Sequence, residues 1–214
     1  MYNLTNFWEN LENANQREQP IAESLDMPDA DVVIYRYLFE QKESDEIFLE
    51  LYNDIDWKQE SIAIFGKTVP VPRLTAWYGD SGKSYTYSKI TMNPEPWTPT
   101  LLRIKSRIES LAELNFNSVL LNLYRSGNDS VAWHSDDEPE LGNNPAIGSV
   151  SFGGTRRFIF RHKHKKELTK IETDLTHGSF LIMKGTTQHF WQHQVPKTKK
   201  SVKPRINLTF RVIR

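Results

Sequence analysis

The end of the chain alternates strictly between apolar and polar residues. In "RINLTFRVIR" (205–214), Ile206, Leu208, Phe210 and Val212 fall on one face of an extended segment, and Arg205, Asn207, Thr209 and Arg211 on the other. Such a strand can lie on an outer surface, or it can turn its doubly cationic face into a barrel interior. In the second case two guanidinium groups and a hydroxyl point into a cavity, and buried arginines need anionic partners. A small dicarboxylate would supply them.

The strand pattern extends back to residue 116. "FNSVLLNLY", "SVSFGGTRRFIFRH", "HGSFLIMKG" and "HFWQHQV" are short extended runs separated by Gly, Pro, Asn or Lys-rich breaks. Two helical patterns precede them. "SDEIFLELYNDIDW" places Ile47, Phe48, Leu51, Tyr52 and Ile55 at helical spacing, with Ser44 as the expected N-cap. "TPTLLRIKSRIESLAELN" (98–115) has Thr98 to cap it, Pro99 at the first helical position, and a stripe of Leu101, Leu102, Ile108, Leu111 and Ala112. Between the helices, 61–92 is rich in β-branched and aromatic residues around Gly-Asp-Ser-Gly and reads as hairpin-like. Helices packed outside antiparallel strands predict an α+β fold with a double-sheet, jelly-roll core over 116–214, within one domain spanning 31–214. Residues 1–30, with few apolar positions, read as a loosely tied leader.

Bulk properties narrow the chemistry. The sequence has no cysteine, so a metal here must be held by histidine and carboxylate. Basic and acidic residues balance at 27 each, which argues against a chain coated in positive potential. The charge is nevertheless segregated, with basic clusters at 160–170 and 197–205 and acids at 40–60 and 135–140. Segregation of this kind can present a phosphate-binding face, although two solvated lysine loops are the plainer reading. No apolar run is long enough to span a bilayer, and the N-terminus lacks a basic region followed by an apolar stretch. The expectation is an intracellular protein with no membrane partner, cytoplasmic in a bacterial host and nuclear in a eukaryotic one, acting as a monomer.

The polar run "SVAWHSDDEPELG" (130–142) places His134 and Asp136 two apart, so that on an extended segment both side chains point the same way and can meet one ion. His-x-Asp triplets also arise by chance, and a third ligand is needed. His162 and His164 sit among lysines, and His177 precedes a turn glycine; His193, flanked by aromatics in "HFWQHQV", is favoured, with His189 in reserve. Two histidines and one carboxylate leave coordination positions open, as in non-haem Fe(II) oxygenases; a zinc hydrolase is the alternative. Asn122 and Tyr124 share a face just before this run and can hydrogen-bond a carboxylate, or pair within a core.

Taken together, "NLY" (122–124), "HSDDE" (134–138), "WQHQVP" (191–196) and "RINLTFR" (205–211) resemble the AlkB family of Fe(II)/2-oxoglutarate dioxygenases, and "SVSFGGTRRFIFRHK" (149–163) its following strands. "FGKTVPVPR" (65–73) and "YGDSGKSYTYS" (78–88) are similar to its DNA-repair branch, in which 61–92 would be a nucleotide-recognition hairpin region. The resemblance implies that His134, Asp136 and His193 hold Fe(II). It implies that Arg205, with Asn122 and Tyr124, grips the distal carboxylate of 2-oxoglutarate, and that Asn207, Thr209 and Arg211 serve the same pocket. With O2 as the other cosubstrate, an N-alkyl group on a nucleobase would be hydroxylated and lost as formaldehyde. Tyr85 and Tyr87, with Thr86 between them, would stack on the flipped base opposite His134, while Asp137 and Glu138 would contact its cationic edge. Ile64 and Phe65 would form an apolar wedge, although core packing explains Phe65 equally well, and Gly66, Lys67 and Arg73 would follow the DNA backbone. The expected partner is alkylated DNA, double- or single-stranded. The alternatives are an RNA demethylase of the same chemistry and a non-catalytic module that binds damaged duplexes.

Overall fold

The computed structural model describes residues 20–64, 66–82, 85–87, 90–92 and 94–214; the side chains of Ile64 and of 83–93 lie outside the described set. In chain order the elements are β1 (Ile21–Ser24), β2 (Asp31–Arg36), α1 (Gln41–Asp54), β3 (Ser61–Ile64), β4 (Lys67–Pro70), β5 (Leu74–Gly79), β6 (Tyr85–Tyr87), β7 (Ile90–Met92) and α2 (Pro99–Ala112). They continue with β8 (Ser118–Tyr124), β9 (Val131–His134), a 3-10 turn (Pro139–Leu141), β10 (Ile147–Gly153), β11 (Arg156–His162), β12 (Ile171–Leu175), β13 (Ser179–Lys184), the short helical turn α3 (Thr187–Phe190), β14 (Trp191–Val195) and β15 (Arg205–Arg211).

Seven strands form a major sheet in the order β1-β2-β13-β10-β15-β8-β5, and four form a minor sheet in the order β12-β11-β14-β9. The pairings within both are antiparallel, and the two sheets enclose a core in the manner of a jelly roll. Two separate ribbons, β3-β4 and β6-β7, complete the described strands.

The central strands of the major sheet are buried on both faces. On one side Ile206, Leu208 and Phe210 pack with Val119, Leu121, Val150 and Phe180 against Ile47 and Leu51 of α1 and Leu101, Ile104 and Ile108 of α2. On the other, Ile34, Leu181 and Met183 meet Phe158, Phe160, Trp191 and Val195 of the minor sheet. Because the helices take the greasy face of β15, its polar face is turned into the space between the sheets.

Several local expectations change. Helix α1 begins at Gln41 with Glu40 at its N-cap, so Ser44 is not a cap but a buried residue in the first turns, donating its hydroxyl to Phe39 O at 3.2 Å. A buried serine that returns its hydroxyl to the backbone is satisfied inside a helix as well as at its end. For α2 the start is as read: Thr98 Oγ1 accepts from Leu101 N and Pro99 follows it. Its buried stripe is Leu101, Ile104, Ile108 and Ala112, whereas Leu102 is largely exposed. The 61–92 region is not one hairpin, because β5 within it joins the edge of the major sheet through β8. Ile21–Ser24, inside the segment read as a leader, pairs with β2 along its whole length.

Two loops meet beside the open end of β8. Arg156, buried, donates to Ser126 O (3.2 Å), Asp129 O (2.9 Å) and Pro196 O (2.6 Å). A Cβ at Gly127 would stand 2.3 Å from Thr198 O, so only glycine permits this approach of the 126–128 and 198–200 backbones. Asp129 then accepts from Arg125 N (2.9 Å), Nε (2.8 Å) and Nη2 (3.0 Å). Burial would raise the Asp129 pKa, but Arg125 outweighs it and holds the carboxyl below its usual range. A depressed folded pKa means stabilisation that is present above the unfolded value of about 3.9 and is lost as pH falls through the folded one. Asp129→Asn is therefore expected to cost about 1–2 kcal/mol at pH 7, at the low end for a charge-assisted bond because Arg125 is half in solvent. Urea unfolding should show the gap from wild type closing below about pH 4; an equal gap at both pH values would remove charge from the explanation.

Candidate metal and ketoacid site

His134 ends β9, the edge strand of the minor sheet, and His193 lies opposite it on β14. The ladder is irregular there. His193 pairs with His134 and Val195 with Val131, so between these pairs the single residue Gln194 of β14 faces two of β9, Ala132 and Trp133. This bulge lets Val131 pack with the inter-sheet core while His134, three residues on, approaches His193 at 4.3 Å between ring centroids. Asp136 follows immediately. Ligand atoms of His134, Asp136 and His193 all lie within 4.8 Å of one another, within reach of one ion held about 2 Å from each.

The three groups are prepared as ligands. His134 Nδ1 stands 2.8 Å from Ala132 O, which can only accept, so the proton sits on Nδ1 and Nε2 carries the free lone pair. Burial, then the neighbouring His193, lowers the His134 pKa to about 4, and the imidazole is neutral across the physiological range. His193 is buried against the Phe158 ring, centroids 5.1 Å apart. Burial alone would raise the Asp136 pKa, but the Arg211 guanidinium and then His193 hold it well below the usual carboxylate range. Arg211 Nη2 donates to Oδ1 of Asp136, and Oδ2 lies 3.4 Å from His193 Nε2. The carboxylate is thus ionised, with one oxygen engaged by Arg211 and the other turned toward the histidines.

Beside this cluster the polar face of β15 forms a second feature. Arg205 is buried and donates from Nη2 to Ser151 Oγ at 2.9 Å, while its Nε and Nη1 have no hydrogen-bond partner among the described residues. Burial lowers its pKa to about 10, which still leaves it charged at neutral pH. Its guanidinium carbon lies 5.2 Å from the Tyr124 ring centroid, and that of Arg156 lies 5.5 Å from the same ring. A charged guanidinium with two donor nitrogens unpartnered and no ion pair among the described residues is built to receive an anion. A dicarboxylate such as 2-oxoglutarate fits that donor set.

Other expected site residues are placed differently. Asn207 accepts from Thr209 Oγ1 (3.1 Å) and donates to Ser149 Oγ (2.8 Å) and Val150 O (3.1 Å), so its amide holds the sheet face together. Arg211 serves Asp136, as described. Arg73 does not stand out for a nucleic-acid backbone: its Nε donates to Asn122 Oδ1 at 2.6 Å and its Nη1 to Ser130 O at 3.4 Å, because β5 lies beside β8. Asp137 is ion-paired with Lys163 Nζ at 2.8 Å, whereas Glu138 Oε2 is buried without a hydrogen-bond partner, and burial raises the Glu138 pKa. Lys67 is exposed and pairs with Ile64 across the tip of the β3-β4 ribbon, where Gly66 takes φ 76°. Tyr85, Thr86 and Tyr87 form β6 opposite Ile90–Met92, but their side chains, that of Ile64, and Phe65 lie outside the described residues. His189 pairs with Asn144, and His162 and His177 face Asp29 and Asp45, away from the triad.

Three site residues were missed in the sequence. Ser149 and Ser151 had a signal, as small polar residues alternating with Val150 and Phe152 in β10. Gln188, which touches Asp136, had none.

Comparison with known proteins agrees with this geometry. Residues 31–211 match the model of the 2OG-Fe(II) oxygenase superfamily. The chain is similar to mouse (Mus musculus) alpha-ketoglutarate-dependent dioxygenase alkB homolog 3, 48% identical over 190 residues covering 85% of this chain and 66% of that protein. It is similar to human (Homo sapiens) DNA oxidative demethylase ALKBH2, 42% identical over 188 residues covering 84% of this chain and 72% of that one. The chain thus spans slightly less than two thirds of the length of the mouse alkB homolog 3. Among solved structures, that of OsALKBH1 superposes with a TM-score of 0.63 at 18% identity, covering 90% of this chain and all of that one, a likeness of fold.

The unpartnered guanidinium gives a sharp expectation. Arg205→Met should weaken 2-oxoglutarate binding on the order of 100-fold or more, since one partner of a buried charge pair is removed. The ligand-free variant should melt no lower than wild type, because an apolar side chain replaces an uncompensated charge. Calorimetric titration in the presence of Mn(II), with melting curves of the free proteins, measures both; unchanged ketoacid affinity would place the anion elsewhere.

Proposed function

Because this chain belongs to the 2OG-Fe(II) oxygenase superfamily, in its AlkB DNA-demethylase branch, we propose that it is an oxidative demethylase that removes N-alkyl groups from nucleobases in DNA, in the repair of alkylation damage. The observation that carries this reading is the convergence of His134, Asp136 and His193 next to a buried, unsatisfied Arg205. A zinc hydrolase would have no use for the second feature. When bound, Fe(II) with its ketoacid cosubstrate supplies O2-dependent hydroxylation of the N-alkyl carbon, and the hydroxylated group leaves as formaldehyde.

The residues of the chain divide the remaining work. His134, His193 and Asp136 would hold the ion, and Arg211 holds the Asp136 carboxyl well below its usual range. Arg205 would take the distal carboxylate of the ketoacid, with Tyr124 and Asn122 to assist it; Arg73 donates to the Asn122 side-chain oxygen. Glu138, two residues beyond the metal carboxylate, offers an unpartnered acceptor to the edge of an alkylated base. Reaching a base in a duplex costs about a few kcal/mol in unstacking, least for a damaged pair. Stacking on Tyr85 and Tyr87 would return on the order of 1–3 kcal/mol per base. Phosphate contacts would come from the 197–200 segment. Lys197, Lys199 and Lys200 form no ion pair among the described residues, whereas Lys163 and Lys165 are paired with Asp137 and Asp29.

Formaldehyde release from single- and double-stranded DNA carrying 1-methyladenine, with matched RNA in parallel, tests the proposal. DNA turnover is expected to require Fe(II), 2-oxoglutarate and O2 together, and His134→Ala should reduce it to background. Turnover confined to RNA would move the substrate, and release without the ketoacid would overturn the chemistry.

A further inference from the structure

Asp136 lies beyond the end of β9, so no sheet ladder fixes its backbone. What holds this segment is side-chain bonding to the stretch that leads into β14. Ser135 Oγ donates to Trp191 O at 2.9 Å, and the Asp136 N–H donates to Gln188 Oε1 at 2.9 Å. Gln188 belongs to the turn α3, immediately before the strand that carries His193, and is 0% exposed. Its amide nitrogen reaches only Met183 Sδ, at 3.4 Å. The turn is itself pinned from the residue just past β11, because Lys163 donates from Nζ to Gln188 O at 2.8 Å and from its backbone to Phe190 O at 2.7 Å.

We propose that Gln188 is a positioning residue for the metal site, its side-chain carbonyl fixing the Asp136 backbone so that the carboxylate meets the ion together with His193. A buried amide is costly to desolvate, and packing alone would be served as well by methionine. Its one strong side-chain bond among the described residues goes to the metal carboxylate's own residue. Through Gln188, two ligands 57 positions apart are referred to one short segment: His193 continues from it, and Asp136 hangs on it. Arg211 then orients the carboxylate about that fixed backbone by holding Oδ1. Partners outside the ligand shell that orient ligands in this way typically change metal affinity by about 10–100-fold when lost.

This inference rests on the reading of His134, Asp136 and His193 as an iron site, and Co(II) binding by the full chain separates the two. Wild type, His134→Ala, Gln188→Met and Gln188→Glu are titrated with Co(II), followed by visible ligand-field absorption, and the metal-free proteins are melted. Gln188→Met should bind Co(II) about 10–100-fold more weakly with an altered spectrum, by more than any change in metal-free melting explains. Gln188→Glu should keep binding within a few fold of wild type, since a carboxyl oxygen at the same reach can accept from the Asp136 N–H. Should Gln188→Met fail to fold, Gln188→Asn, one methylene shorter, is read in the same way. Wild-type affinity in Gln188→Met, or an equal loss in Gln188→Glu, overturns the positioning role and leaves the metal site standing. Binding absent from wild type, or unaffected by His134→Ala, overturns both.

Discussion

The central strands of a sheet covered by helices on one side and by a second sheet on the other have no wet face, and the polar side chains they bury must find partners indoors. The major sheet carries a row of such residues across five strands: Thr75, Asn122, Asn207, Ser151 and Ser179 stand in register. Asn207 spends its amide on Thr209, Ser149 and a backbone carbonyl, and Asn122 accepts from Arg73. Arg205, next along β15, is left with two donor nitrogens unpaired. The satisfied members make the row affordable, and the unsatisfied one marks where a ligand completes it. The helices are essential to this arrangement, because by burying Ile206, Leu208 and Phe210 they supply the apolar burial that offsets a polar interior.

The metal cluster depends on the same frame through a different irregularity. A regular antiparallel ladder alternates faces, so Val131 and His134, an odd number apart, could not both point inward. The bulge opposite His193 and Val195 resolves that conflict and aims the imidazole. Beyond it the chain leaves the sheet, and Arg211, Gln188 and Trp191 must do what a ladder would have done for Asp136 and its neighbour. Arg211 links the two halves of the site. It stands on the strand whose first residue, Arg205, offers the open guanidinium, while its own charge keeps the metal carboxylate ionised.

Legibility in the sequence followed the range of the interaction. The alternation in 205–211 foretold both faces of β15, and the Thr98–Pro99 start of α2 was correct, because each is a local rule acting within a few residues. Ser44 and Leu102 were misplaced for the same local reason: capping chemistry and periodicity do not say which neighbour will bury a residue. The triad could be picked out because the chain has only six histidines and no cysteine, and a His-x-Asp pair in an extended run narrows the choice of carboxylate. Arg73 could not be assigned to Asn122, 49 residues away, nor Gln188 to Asp136, 52 away, because only the strand order and the position of α3 bring them together. An amide or a guanidinium has many uses, and its partner exists only in the fold.

The two acids beyond Asp136 were alike in the sequence and are unlike in the structure, and the difference bears on how charge is recognised. Asp137 is half in solvent and neutralised by Lys163, so a cationic base approaching it must displace or share an existing partner, and the gain at an exposed pair is small. Glu138 is half-buried, with an oxygen that finds no hydrogen-bond partner among the described residues, and burial raises its pKa. A carboxylate in that state gains more from an incoming cation or donor than one already paired, because the cost of its desolvation has been met by folding. On the proposed function, discrimination for an alkylated, positively charged base would therefore fall more on Glu138 than on Asp137. Lys163, by holding Asp137 and the Gln188 carbonyl at once, ties the exposed rim of the site to the turn that positions its metal ligand.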